Sequence, residues 1–598
     1  MTAESAASAA PDAPAWNLAD LYDGPQSQAL ADDLEQAERR AAAFAETYHG
    51  RVADLDGAAF GEAVRAYEAL SDLMGRIGSY AQLRHAQDVT DPEIGRFYQN
   101  VQEKLTEATT CIVFFTVEIN ELTDEQVEAL TQHPAVAPYA PWLRDVRVFR
   151  DHQLPEAQER LLHEKEVTGR GAWTRLFDET MAALRFDVDG ESLTETEVLD
   201  RLSSPDRETR RKAGQAFGAG LADNQRLFTH ITNTLAKDKA VEDRWRGFDD
   251  PAAERHLLNQ VEPEVVDALV RAVRDSHEPI SHRYYRLKAR WLGLDTLEYY
   301  DRNAPVPGED DRRWGWSEAR RTVLDAYHRF SPDMAGVAGR FFDNAWIDAE
   351  ARAGKASGAF SHPVTPSAHP YILLNYMGKA RDVMTLAHEL GHGVHQMLAA
   401  DQGALMADTP LTLAETASVF GEMLTFQALL AAEQDPARRR ALLAHKIEDM
   451  LNTVVRQVAF YDFERRVHLE RREGEVSAER IGQIWLEEQE RSLGPAFRFA
   501  DEYRHYWSYV PHFLHAPFYV YAYAFGDCLV NALYAVYEDG HPAFQDKYLD
   551  MLRAGGSKRH HELLAPFGLD ARDPAFWRRG LDVIADLVDR LEKELEDS

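Results

Sequence analysis

From residue 28 to residue 595, apolar side chains recur three and four positions apart in one segment after another, a period that commits the chain to packed helices. The pattern runs through 28–48, 54–85, 94–132, 155–185, 194–241 and 262–291, where Ala, Leu, Glu and Arg, all good helix formers, abound. It resumes over 383–399, 411–431, 437–471, 477–492, 517–538 and 574–595. No fixed repeat period emerges, so a solenoid is not expected. Pro138–Pro141 and the Pro-, Gly- and acid-rich 303–311 read as loops. Only at 353–381 does the texture change. There Tyr371-Ile-Leu-Leu-Asn-Tyr376, short and apolar between Pro370 and Gly378, predicts a strand. The expected fold is mainly α, with a small sheet near 353–381.

Charge narrows the function classes. Lys and Arg number 66 against 100 Asp and Glu, a net charge of −34. A surface that acidic argues against coating nucleic-acid phosphates or docking on anionic lipid. The two cysteines, Cys111 and Cys528, stand far apart and in no CxxC spacing, which excludes a disulfide framework and argues against a Cys-based zinc site. The opening MTAESAASAAPDAPAW lacks a basic n-region and an apolar h-region, so it reads as a frayed tail over 1–14 and not as a signal peptide. The longest strongly apolar run, near Cys111–Val117, is too short to span a bilayer. The chain is expected to be soluble and cytoplasmic, a monomer or a homodimer, with no nucleic-acid or membrane partner.

The chemistry is concentrated in Asp382-VMTLA-His388-Glu389-Leu390-Gly391-His392-GVHQML. Asp382 is the expected N-cap, and Val383, Leu386, Leu390, Val394 and Leu398 make an apolar face. His388 and His392, four apart on one side of that helix, suit two imidazoles on one metal ion, with Glu389 beside them to take a proton from an activated water. A catalytic zinc needs a third protein donor. Twenty-three residues past His392, Glu415 lies in a second predicted helix that starts at Thr409 and Pro410 as N-cap and N1. An antiparallel return would bring Glu415 to the histidines. Glu422 shares its face and would orient a ligand histidine. His395 is expected to be packed or hydrogen-bonded instead of ligating.

A third cluster is Pro511-His512-FLHA-Pro517-Phe518-Tyr519-Val-Tyr521-Ala-Tyr523. Hydrolysis of a peptide passes through an oxyanion, and a histidine followed by closely spaced tyrosines supplies donors for it. On a helix starting near Pro517, Tyr519 and Tyr523 face one way and Tyr521 another.

Together GAFSHPVTPSAHPYILLNY (358–376), HELGHGVHQ (388–396), AETASVFGE (414–422) and HFLHAPFYVYAY (512–523) resemble the oligoendopeptidase F branch of the M3 metallopeptidases, over about residues 14–590. The resemblance implies a helical ellipsoid split by a deep substrate channel, with zinc on its floor and a small sheet next to the HExxH helix. It implies one Zn2+ per chain on His388, His392 and Glu415, and Glu389 as general base. It also implies oxyanion donors in 512–523: His512 matches, Tyr519 is favoured, and Tyr521 and Tyr523 are rivals. Short peptides would be the substrates. Ser361 stands where many relatives carry Cys, so thiol-dependent regulation does not carry over. On this reading 15–200 is an N-terminal helical domain and 201–598 the catalytic domain, and the strand at 371–376 would hold the peptide extended. Two other classes stay open: a metallocarboxypeptidase or dipeptidase on a related helical fold, and a non-catalytic peptide-binding protein.

Overall fold

A computed structural model describes residues 12–166, 168–308 and 312–597, and it is mainly helical with only small sheets. By packing, the chain falls into two compact units. One takes in Met1–Arg150, Asp311–Ala432 and Tyr537–Gly568; the other takes in Asp151–Asp310, Glu433–Val536 and Leu569–Ser598. Packing therefore does not divide the chain near residue 200. In the first unit, main-chain bonds from Asn17 to Ala345 (3.1 Å) and from Ala349 to Pro14 (2.7 Å) stitch the start of the chain to the sheet. In the second, buried Asn233 exchanges hydrogen bonds with the backbone of Val476 at 2.8 and 2.9 Å. Of the expected tail, residues 1–11 lie outside the described residues, and Pro14 is held as just stated.

The first unit contains helix α1 (Trp316–Phe330), strands β1 (Ile347–Glu350), β2 (Phe360–His362) and β3 (Tyr371–Tyr376), then helices α2 (Ala380–Ala399) and α3 (Thr416–Ala432). The three strands run in the order β1-β3-β2, with β3 parallel to β1 and antiparallel to β2. Tyr371, Ile372 and Leu373 are fully buried, as a central strand covered on both faces requires. β3 is paired by β1 on one edge and, over Tyr371–Leu373, by β2 on the other, so those residues have no free backbone to offer a peptide. That narrows the expectation from the sequence, and β2 is an open edge of this sheet.

On α2, Val383, Leu386, Leu390 and Val394 are fully buried, the face their spacing predicts. Helix α3 is apolar nearly all round and is buried accordingly, through Ala417, Phe420, Met423, Phe426 and Leu430.

The second unit includes α4 (Pro436–Met450), α5 (Arg456–Glu473) and most of α6 (Tyr521–Glu538). The sequence predicts one helix over 437–471; the structure interrupts it with a π turn at Leu451–Val455. Among the described residues no helix is long and apolar enough to cross a membrane.

Candidate metal centre

Helix α2 starts at Ala380 with Lys379 as N-cap, so Asp382 stands inside the first turn instead of ahead of it. Its Oδ2 accepts hydrogen bonds from the N–H groups of Met377 (2.8 Å) and Lys379 (3.0 Å). The carboxylate thereby serves the positive helix end from within the turn. His388 and His392 project one turn apart, their ring centroids 4.9 Å from each other.

Glu415 reaches them from the junction before α3. Pro410 keeps an extended backbone (ψ 149°) and is the N-cap of a single turn, Leu411–Ala414, so this helix begins one residue later than Thr409 and Pro410 suggested. Glu415 closes that turn. Its Oε2 lies 3.4 Å from His388 Nε2 and 3.5 Å from His392 Nε2. The edge of a tetrahedron drawn with zinc–ligand distances of 2.0–2.1 Å is about 3.3 Å. Three donors of the right chemistry, all within 4.8 Å of one another, therefore fit a single metal ion.

The surroundings support that donor set. His388 Nδ1 lies 3.2 Å from Glu422 Oε2, which keeps the ring proton on Nδ1 and turns Nε2 toward Glu415. Ser418 Oγ donates to Glu415 Oε2 at 2.8 Å. Burial works against protonation of His388, but the Glu422 hydrogen bond and the charges of Glu415 and Glu422 push it up to about 9. Burial pushes His392 down to about 4. His395 is fully enclosed, pushed down to about 4 by burial, with its ring on the Ala414 carbonyl and not on the other donors. Glu422→Ala should weaken metal affinity about 10- to 100-fold, measured by competition with a chelator; wild-type affinity would make Glu422 a packing residue.

Glu389, next along the helix from His388, is buried. Burial pushes its carboxyl up to about 7, offset in part by His388 and by the Ser361 backbone N–H that donates to it. That N–H is held by β2, clamped to α2 through Ser361 Oγ to Gln396 Oε1 (2.9 Å) and Gln396 Nε2 to Ser361 O (3.2 Å). The sequence did not single out Tyr327 of α1. Its hydroxyl donates to Ala387 O at 2.5 Å and fills the space left by Gly421, bracing α2 against α3. A lone tyrosine in an ordinary amphipathic segment gives no sign of this.

In the second unit, His512 opens the one-turn helix His512–His515. The chain then turns through Phe518, which has a left-handed backbone (φ 59°) and donates its N–H to buried Glu464 at 3.0 Å. That turn delays α6 to Tyr521, four residues later than Pro517 suggested. His512 Nε2 lies 3.3 Å from Tyr523 Oη, and the Tyr519 ring packs on both, at 6.1 Å from His512 and 5.1 Å from Tyr523. Tyr521 turns inward, its hydroxyl 3.0 Å from His256 Nδ1 and 2.9 Å from Asn259 Nδ2. The structure therefore groups His512 with Tyr519 and Tyr523 and separates Tyr521 from them.

Residues 321–583 match peptidase family M3, and residues 118–186 match Oligopeptidase F. The chain is 27% identical over 596 residues to Oligopeptidase PepF of Bacillus subtilis, covering 97% of this chain and 87% of that one. Among solved structures, a Chlamydophila abortus protein superposes with a TM-score of 0.86 at 21% identity, covering 97% of this chain and 98% of that chain. Oligoendopeptidase-F from Enterococcus faecium superposes with a TM-score of 0.71 at 23% identity, covering 95% and 98%. At that identity these two show a shared fold.

Proposed function

The chain belongs to peptidase family M3, and on that premise we propose that it is a zinc-dependent endopeptidase cutting internal bonds of short peptides. The observation that carries this reading is the convergence of His388, His392 and Glu415 donor atoms within 4.8 Å, beside a buried Glu389. Zinc, when bound, supplies a Lewis acid that polarises the scissile carbonyl and brings the pKa of water toward neutrality. His388, His392 and Glu415 hold it, and Glu422 fixes the His388 tautomer. Glu389 takes the proton from the attacking water, for which a carboxyl pushed up to about 7 is well matched, and returns it to the leaving amine. His512 and Tyr519 donate hydrogen bonds to the oxyanion; Tyr523, grouped with both, shares that task. A reducing, cytoplasmic setting suits the two free cysteines.

Digestion of an internally quenched peptide of about ten residues, held so that one bond lies in reach of the attacking water, tests the proposal. Internal cuts, weighed by mass spectrometry, support it. One-residue trimming from the C-terminus would make the chain a carboxypeptidase, and metal binding without cleavage of several peptides a binding protein. His512→Ala should lower kcat about 100-fold with metal content unchanged; loss of metal instead would make His512 structural.

A further inference from the structure

The peptide unit that joins Pro517 to Phe518 is held at both of its polar atoms by side chains from other elements of the second unit. The Phe518 N–H donates to Glu464 Oε1 of α5 at 3.0 Å, and the Pro517 carbonyl accepts from Arg255 Nε at 3.2 Å. Arg255 stands on the short helix Ala253–Leu258, and its guanidinium lies over the Tyr519 ring, 6.0 Å from the ring centre. His256 of the same helix and Asn259 just after it take the Tyr521 hydroxyl. Two elements thus grip the chain between His512 and Tyr523, and the grip closes on one peptide.

That peptide lies in a turn which its own residues do not favour. The Tyr519 N–H donates to Ala516 O at 3.1 Å, which makes Ala516–Tyr519 a β-turn with Pro517 and Phe518 at its centre. Proline is fixed at negative φ while Phe518 has φ 59°, so the turn is type II. Its third position suits glycine or asparagine, because a Cβ there is crowded. Glycine would forfeit packing, however: the Phe518 ring is fully buried against Tyr461 and His468 of α5, at 6.1 and 4.9 Å between ring centres. Left to itself, Phe518 would take the helical region and let α6 start at Pro517, since proline is at home in a first turn. Rotating that one residue would swing His512 and the chain before Pro517 away from Tyr519 and Tyr523. Glu464 opposes it at a cost, for it is 2% exposed and its Oε2 is buried without a partner. Burial pushes its carboxyl up to about 8, so near neutrality it accepts the N–H chiefly as a neutral acid.

We propose that Glu464 and Arg255 are positioning residues: they clamp the Pro517–Phe518 peptide, keep Phe518 left-handed and so hold His512 against Tyr519 and Tyr523. The proposal rests on the reading of His512 as an oxyanion donor, and it says what sets that donor in place. Neither residue needs to touch the substrate.

The test is a double-mutant cycle on the metal-loaded enzyme with the quenched peptide. Glu464→Met removes the acceptor at similar volume and should lower kcat about 10- to 100-fold, with KM and metal content unchanged. Glu464→Gln keeps an acceptor and should stay within about threefold of wild type. In the His512→Ala background Glu464→Met should cost at most about threefold more, because the donor it positions is already gone. A full loss there, wild-type kcat in Glu464→Met, or a Glu464→Gln enzyme equally slow would each overturn the proposal. Should Glu464→Met fail to fold, Arg255→Met, at a half-buried position, carries the same cycle with an expected loss of about tenfold. If no peptide is cut, or if His512→Ala keeps wild-type kcat, the oxyanion reading fails and kinetics no longer report on the clamp. A crystal structure of the Glu464→Met or Arg255→Met enzyme then decides: Phe518 at negative φ supports the clamp, and an unchanged turn overturns it.

Discussion

Glu389→Gln is expected to retain metal at the wild-type stoichiometry and to hydrolyse peptides about a thousandfold more slowly, or worse. The substitution keeps the shape of a side chain that is 7% exposed, so no cavity or clash is introduced. The amide oxygen can still accept the N–H of Ser361, which holds β2 against α2. The donors come from His388, His392 and Glu415, so nothing in the metal set is lost. What disappears is the ability to take up and return a proton. A carboxyl whose burial pushes it up to about 7 is well placed to do both near neutrality, and a glutamine does neither. The residual rate would measure what the metal and the oxyanion donors achieve without a base. Metal content by elemental analysis and single-turnover rates on the quenched peptide decide the matter. Turnover within about tenfold of wild type would remove Glu389 from the role of base.

Much of this site is written in short-range sequence. The spacing of His388 and His392 places two imidazoles on one face of any helix, and the apolar residues around them say which face is buried. Glu415 was legible because a helix start follows a loop of the right length after His392, which favours an antiparallel return. Helix ends were less legible. Asp382 and Thr409 have the residue types of N-caps, yet the ends fall at Lys379 and Pro410, because a carboxylate in the first turn and an extended proline satisfy the same donors another way. The delayed start of α6 depends on a left-handed Phe518 tied to Glu464, 54 positions earlier, a partner that no local pattern specifies. The π turn beneath Arg456 adds one residue to a helix without changing its composition, so periodicity reads straight through it. The two packing units draw on three stretches of chain each, and pairings such as Asn233 with Val476 depend on contacts hundreds of positions apart, which is where linear reasoning stops.

Gly391→Val is expected to abolish both metal retention and activity. Gly391 lies between the two ligand histidines, and the third ligand approaches across it. A Cβ at this position would stand 2.3 Å from Ala417 O and 2.5 Å from Ser418 Cα, both backbone atoms of α3. Neither can swing away as a side chain would, so α2 and α3 must separate along the contact. The first atoms to move are those of α3 closest to Glu415, whose Oε2 lies 3.4 and 3.5 Å from the two imidazoles. A displacement of about 1 Å there exceeds the tolerance of about 0.2 Å on metal–ligand distances. Tyr327, which braces the same two helices through Ala387 O, opposes the separation, so the strain falls on fold stability as well. Overpacking of this kind costs about 1–3 kcal/mol or more. Thermal unfolding and metal affinity measured on the same protein would therefore shift together, whereas Glu389→Gln would shift neither. Wild-type metal affinity in Gly391→Val would show that the third donor does not depend on the close approach of these helices.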